Sequence, residues 1–471
     1  MPQTPSRPRR LVPLIVASAV FMGALDSTII ATALPQMARV FHRPPVDLSL
    51  GITVYILVMA AFLPVSTWTA DRLGARRVFA GAIAGFALAS VLCGLATSLW
   101  PFVGARALQA LFATLMTPVG NLVMLRSTKK SDLVAAVAIS TTPGLVAPVI
   151  GPALGGFIVT FLDWRWIFFL NLPIAALGVV LALRFIPDLK GEQAKPFDWP
   201  GFAVTALSLA AVIYGLDRVS TPGADWRTAA ALVACGLVLG GFAVRHSLTA
   251  PYPLLSLRAL RLKTFRTAAL SGGTAARSLF RAIGFVAPLL FQVGLGLSAF
   301  QSGLLLLGYN GGDLAMKAVA NQTLRRFGFR TSLAVSVTLT CMMTSSWALF
   351  GPQTSFWTIF IVLTAAGMAR SVLMTGMVTL TFADIPREEI GAATVLSNVL
   401  IQSTGAVAIA GAAIVLNLSA ALRGAAGSID LNDCRLTVLA MSAVGLLALP
   451  SFLRLPHDAG AEVSGHRPRP R

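Results

Sequence analysis

Apolar residues run through this chain in long blocks, separated by short segments that hold most of the charge. Blocks of about 20 residues are what a helix needs to cross the roughly 30 Å hydrocarbon core of a bilayer. The pattern predicts fourteen helices, at 11–35, 48–70, 78–97, 99–125, 133–161, 166–186, 200–217, 228–247, 266–296, 300–323, 331–350, 354–382, 390–418 and 436–455. An even number returns the chain to the face on which it began. The fold class is an all-α polytopic membrane protein.

Composition strengthens that reading. Of 471 residues, 56% are hydrophobic and 12% charged, and the mean hydropathy is +0.78. The first run follows Arg9 and Arg10, and "ATA" at Ala31–Ala33 resembles a signal-peptidase site. The run is long for a signal sequence and contains Asp26, so a retained first helix is expected.

A net charge of +19 raises the question of nucleic acid. With the N-terminus taken as cytoplasmic, 25 Lys and Arg fall in inner loops and tails and 7 in outer loops. That is the positive-inside bias that orients membrane proteins, so the basicity reads as topology and no nucleic-acid partner is expected. Both termini are placed in the cytoplasm. The cysteines, Cys93, Cys235, Cys341 and Cys434, form no Cys-x-x-Cys pair, and no metal or other cofactor is expected. The histidines, His42, His246, His457 and His466, are assigned to loops or the tail, which removes histidine as a proton relay within the membrane.

The chain repeats itself. "DRLGARRVF" from Asp71 is echoed 254 residues later by "RRFGFRTSL" from Arg325, and Tyr55 and Tyr309 share that offset. "LMTP" at Leu115 matches "LMTG" at Leu373, 258 residues on. Two parallel six-helix repeats with an additional pair between them are predicted: 1–190, then 191–263, then 264–457, with a basic cytoplasmic tail at 458–471. Such repeats place a substrate site at their interface near the bilayer midplane.

Seven ionisable residues fall within predicted spans: Asp26, Arg106, Arg277, Arg281, Asp313, Lys317 and Arg370. Each costs about 2.5–3.5 kcal/mol at a helix centre on insertion scales, so the set implies a cavity or mutual pairing. Five cations against two anions leave an excess of +3. Asp313 and Lys317 stand four apart, a spacing that pairs on one helix face. Arg277 and Arg281 share that spacing but repel. "GYNGGD" before Asp313, with Asn310, Gly311 and Gly312, is expected to weaken its helix. A basic pocket of Arg106, Arg277, Arg281, Asn310, Lys317 and Arg370 favours an anionic or zwitterionic small molecule. The carboxylates Asp26 and Asp313 are the candidate proton carriers, since apolar surroundings favour a neutral carboxyl group. Cations near Asp313 favour its charged form and make Asp26 the better suited of the two. The other reading of Asp26 is structural, as a cap or a partner of Arg106.

Several stretches resemble signatures of the major facilitator superfamily, in particular its fourteen-helix drug:proton antiporters of the EmrB/QacA type and their MdtD-like branch. "LDSTIIATALP" resembles the first-helix pattern, "TWTADRLGARR" the loop between helices two and three, and "RALQALFATLMTP" the fourth-helix Arg-x-x-Gln-Gly pattern. "PGLVAPVIGPALGGFI" resembles the helix-five antiporter motif, here Pro148, Gly151, Pro152, Gly155 and Gly156, and "WRWIFFLNLPI" is similar to the same branch. Thr67, Ala110 and Ala147 depart from glycines of those patterns, Ala31 from a common Asn, and Arg325 stands where an acid is frequent.

The resemblance implies a major facilitator fold of two six-helix bundles plus two linking helices. It implies proton-coupled efflux of a drug or metabolite across a bacterial inner membrane by alternating access. Asp71, Arg72, Arg76 and Arg77 would form a cytoplasmic gate. The implied partners are a small molecule, protons and the lipid bilayer, and a periplasmic adaptor protein stays open. A symporter or uniporter of the same fold is the alternative. No phosphate-binding Gly-rich loop for ATP is present, and a membrane enzyme would need a catalytic His or paired acids that do not stand out.

Overall fold

The computed structural model describes residues 7–127, 133–187, 196–220, 225–251, 253–386, 389–425, 428–456 and 459–460. The regular structure among these residues is helical. The first half comprises α1 (Arg7–Phe41), α2 (Ser49–Leu73), α3 (Ala75–Leu95), α4 (Leu99–Ser127), α5 (Leu133–Phe161), α6 (Trp166–Phe169) and α7 (Asn171–Phe185). Then come α8 (Trp199–Ser220) and α9 (Trp226–Thr249). The second half holds α10 (Lys263–Phe265), α11 (Gly272–Leu289), α12 (Ala299–Ser345), α13 (Phe356–Phe382), α14 (Ile390–Leu422), α15 (Leu431–Leu446) and α16 (Leu449–Leu453). Of the predicted tail, all but Ala459 and Gly460 lies outside the described residues.

Thirteen helical segments among the described residues are long and apolar enough to cross a membrane. The predicted span absent from this set, the tenth at 300–323, lies on the first arm of α12. That helix changes direction at Gly328, whose φ is 71°. Its 29-residue arm 299–327 is about 43 Å long at 1.5 Å per residue, enough to cross, but Asn310, Asp313 and Lys317 dilute its apolarity. Gly74, between α2 and α3, has φ 92°. Gly74 and Gly328 are the matching glycines of the two echoed loops. At both, the chain adopts a positive φ that a side chain would oppose.

Membrane placement is also written in the tryptophans. Trp100, Trp166, Trp199, Trp226 and Trp357 are exposed, each within the first two residues of a helix, where an amphipathic ring suits the lipid–water boundary. Exposed Leu237, Val238, Phe242 and Leu248 give α9 a lipid-facing side.

Small residues let the helices approach. A Cβ on Gly151 or Gly155 would strike Thr28 and Thr32 of α1. One on Gly156 would strike the Ala299 carbonyl at the start of α12, and one on Gly303 the Pro152 carbonyl. The predicted helix-five motif is therefore the surface joining α5 to α1 and, across the seam, to the second half. Hydrogen bonds from Phe300 N to Thr160 Oγ1 (3.0 Å) and from Gln292 Nε2 to the Thr32 carbonyl (3.2 Å) cross the same seam. The α8–α9 pair lies against α2 and α14. Its aromatic foot of Phe197, Trp199 and Phe202 packs on Trp68 and Phe62 of α2.

The weakness expected at Asn310–Gly312 is not where the helix breaks, because α12 stays helical there. Gly312 instead admits the Thr364 carbonyl of α13, and Gly367 of α13 admits the Tyr309 carbonyl. The glycines serve interhelical approach, and the break falls at Gly328.

Candidate functional site

In the first half, α1, α3, α4 and α7 converge on Asp26. Arg106 Nη1 donates to Asp26 Oδ2 at 2.7 Å, with both side chains 1% exposed. Gln109 Nε2 donates to Asp26 Oδ1 at 2.9 Å and to Ser90 Oγ at 2.7 Å. Asn171 Nδ2 reaches both acceptors at 3.4 Å. The Arg106 guanidinium lies 4.1 Å from the Tyr55 ring centroid. Charges cancel, and each carboxylate oxygen has a donor. Burying such a pair is expensive, but removing one member leaves an uncompensated charge.

The second half holds its acid differently. Asp313 on α12 faces Arg370 on α13 at 3.6 Å, with the two side chains 14% and 20% exposed. Its other oxygen, Oδ1, is buried and accepts no hydrogen bond. Arg370 donates a long 3.4 Å bond to Asn310 Oδ1 and lies over the Tyr309 and Phe280 rings. Arg281 on α11 donates to Gln402 Oε1 of α14 at 3.4 Å. Gln402 in turn reaches Met59 Sδ of α2 at 3.8 Å, across the seam between halves. Gly405 leaves the space that Arg281 fills.

Arg277 donates to backbone, and no ion pair joins it to an acid among the described residues. Arg266–Ser271 is a π-helical turn, and the Ala268 carbonyl accepts from Arg277 Nη1 at 2.8 Å. Lys317 makes no ion pair with Asp313, which faces Arg370 instead. All of the +3 excess read from the spans thus sits in the second half, and the first half is neutral.

For the gate residues, the side chain of Asp71 lies outside the described residues. Arg72 is exposed over Trp68, 5.2 Å from its ring centroid. Arg77 is exposed and Arg76 half-buried. On the same face His246, assigned to a loop from sequence, occupies the last turn of α9 and bonds Asp198 at 2.7 Å. Burial works against ionisation of Asp198, yet the Leu254 and Gly201 amides and His246 outweigh it and hold the carboxyl below its usual range.

Sequence reasoning missed Ser90, Asn171, Tyr55, Tyr309 and Gln402 as parts of these clusters. Two signals were present: Gln109 is the glutamine of the fourth-helix pattern, and the tyrosines share the repeat offset. Nothing in the sequence places Gln402 beside Arg281. Among the described residues no group of three or more His, Cys, Asp or Glu side chains is placed to hold a metal.

The family model described as Major Facilitator Superfamily matches residues 16–411. The chain is 33% identical over 459 residues to the "Putative multidrug resistance protein MdtD" of Escherichia coli O9:H4 (strain HS), covering 96% of this chain and 95% of that one. It is also 33% identical to the protein of the same name from Citrobacter koseri, covering 94% of each. Among solved structures it resembles the POT family transporter PepTSo, with TM-score 0.69, 12% identity and coverage of 98% and 99%. It likewise resembles the xylose transporter XylE from E. coli, with TM-score 0.62, 12% identity and coverage of 96% and 98%. At those identities the structures speak for the fold, and the family model and the sequence relatives carry the assignment. This chain is a membrane transporter and belongs to the Major Facilitator Superfamily.

Proposed function

We propose that the protein is a proton-coupled exporter of a small molecule, exchanging it for protons across a bacterial inner membrane by alternating access. The basic face, with Arg72, Arg76 and Arg77, is its cytoplasmic side, as the loop charges argue. One observation carries the reading: a membrane-embedded carboxylate, Asp313, is held at 3.6 Å by Arg370 with one oxygen unpartnered, and the other ionisable residues predicted within the second-half spans, Arg277, Arg281 and Lys317, are cations. Such a group can take up and release a proton without dismantling a cage. Asp26, with both oxygens engaged, anchors the first half instead.

Linkage selects the substrate class. A ligand ammonium competes with a proton for Asp313, and competition is what exchange requires. A ligand that is only anionic gains when Asp313 is protonated and Arg370 is released, which is the thermodynamic sign of cotransport. Exchange at this site therefore goes with a zwitterion, its cationic group at Asp313 and its anionic group at Arg281. Cotransport of a simple anion is the second reading, supported by the same cationic excess.

The test uses oriented proteoliposomes with an imposed pH gradient, a fluorescent pH probe and panels of lipophilic cations, carboxylates and zwitterions. Zwitterions should dissipate the gradient in the wild type and in Asp26→Asn reconstituted in folded form, and fail to do so in Asp313→Asn. Undiminished dissipation in Asp313→Asn would sink the coupling role. Dissipation by carboxylates alone, with substrate moving along with the proton, would favour cotransport.

A further inference from the structure

On the face opposite Arg72 the two halves line a cavity of about 820 Å³, whose walls include none of Asp313, Arg370 or Arg281. Its first-half wall carries Gln36, Arg39, His42 and Arg43, with Thr160 of α5, and its second-half wall carries Gln292 and Ser298. The floor is the seam where Gln292 bonds the Thr32 carbonyl and Phe300 N bonds Thr160.

The lining is basic and underused. Arg39 makes one long bond, Nε to the Pro35 carbonyl at 3.4 Å, and neither Arg39 nor Arg43 forms an ion pair within 4 Å among the described residues. Asp47 is the acid that feels Arg43, and burial pushes its carboxyl up, against the pull of that arginine. Gln36 Oε1 is buried without a partner. The backbone adds an independent sign. α1 stops at His42, whose φ of 52° makes it the one residue other than glycine with positive φ among the described residues. Glycine would adopt this conformation at less cost, yet the position carries a side chain that can hydrogen-bond at the rim. The turn carries the imidazole and the Arg43 guanidinium to the rim.

We infer that this vestibule is an anion site for small ligands bearing two or more negative charges on phosphate or carboxylate groups. Arg39 and Arg43 supply the charge, and His42 with the polar side chains of Gln292 and Ser298 supplies hydrogen-bonding contacts, the last two from the other half. Because its walls belong to both halves, a bound anion ties them together and favours the conformation in which this face is closed. The phosphate can come from solution or from a lipid headgroup at the rim.

The probe is inorganic phosphate, titrated against chloride at matched ionic strength onto the full chain in phosphatidylcholine nanodiscs, with Tm as the readout. Phosphate should raise Tm in the wild type by mass action on the folded state. The apparent affinity should fall about tenfold in Arg39→Gln/Arg43→Gln, equivalent to about 1.4 kcal/mol. Arg39→Lys/Arg43→Lys should keep most of it, which separates lost charge from a damaged fold. His42→Gly should be at least as stable without phosphate, yet bind it more weakly. No phosphate-specific shift in the wild type, or an unchanged one in Arg39→Gln/Arg43→Gln, would overturn the site. If cardiolipin, whose headgroup carries two phosphates, raises the wild-type Tm and suppresses the phosphate response, the headgroup occupies the same site. If cardiolipin leaves the response intact, the ligand is a soluble anion.

Discussion

The two halves of this transporter each bury an acid beside an arginine that lies over a tyrosine ring, and they hold it in opposite ways. Asp26 and Arg106 sit 2.7 Å apart and 1% exposed, with Gln109, Ser90 and Asn171 closing the network. Asp313 and Arg370 sit 3.6 Å apart and partly exposed, with one carboxylate oxygen unpartnered. A satisfied pair resists change because any rearrangement strands a charge in a medium that cannot solvate it. A loose pair loses little when a proton or a ligand takes one partner. The two halves therefore hold one fully satisfied pair and one partly satisfied pair.

The contrast breaks most readily at Arg106. Arg106→Ala leaves Asp26 buried without its cation and should destabilise the protein by about 3–5 kcal/mol, read as thermal unfolding in detergent. A loss under 1 kcal/mol would mean that the cage is not structural. Ser90→Ala removes a shared acceptor of Gln109 and Asn171 and should cost about 1 kcal/mol in the same assay. In the second half, Asp313→Asn should cost less stability than Arg106→Ala, because the pair is longer and partly exposed and Arg370 keeps Asn310 and the Tyr309 and Phe280 rings, while removing proton coupling in proteoliposomes. A stability loss as large as that of Arg106→Ala would erase the distinction between the halves.

The smallest expected effect lies outside both clusters, at Asp198. Its carboxyl is held below the usual range in the folded protein, so the stabilisation it gives is present above the unfolded value near pH 4 and is lost as pH falls through the folded value. Unfolding measured from pH 7 to pH 3 should therefore show a steeper acid loss in the wild type than in Asp198→Asn. Equal slopes would mean that the bonds from His246 and the Leu254 and Gly201 amides to Asp198 add no stability.

Much of the site was visible residue by residue but not pair by pair. Asp26 and Arg106 stood out because charge is costly in an apolar run, and their pairing was one of two readings. Asp313 was expected to meet Lys317 four residues on, whereas it meets Arg370, because α13 packs closely on α12 through Gly312 and Gly367. Arg277 was expected to face something anionic, and what the fold itself brings to it is a carbonyl of a π-helical turn. Helical spacing describes neighbours on one helix and says nothing of what a second helix brings.

The sequence by itself determined the membrane-spanning class, the approximate spans, the duplication and the family. Each rests on a cost paid locally, such as burying a charge in lipid or turning a chain at Gly74 and Gly328. Tertiary structure alone decided which acid is fully caged and which keeps an unpartnered oxygen, that Gln402 links Arg281 toward Met59 of the other half, and that a basic vestibule opens between the halves. Those outcomes depend on the depth and rotation of helices hundreds of residues apart, which are set by the close approach of small residues across the whole bundle.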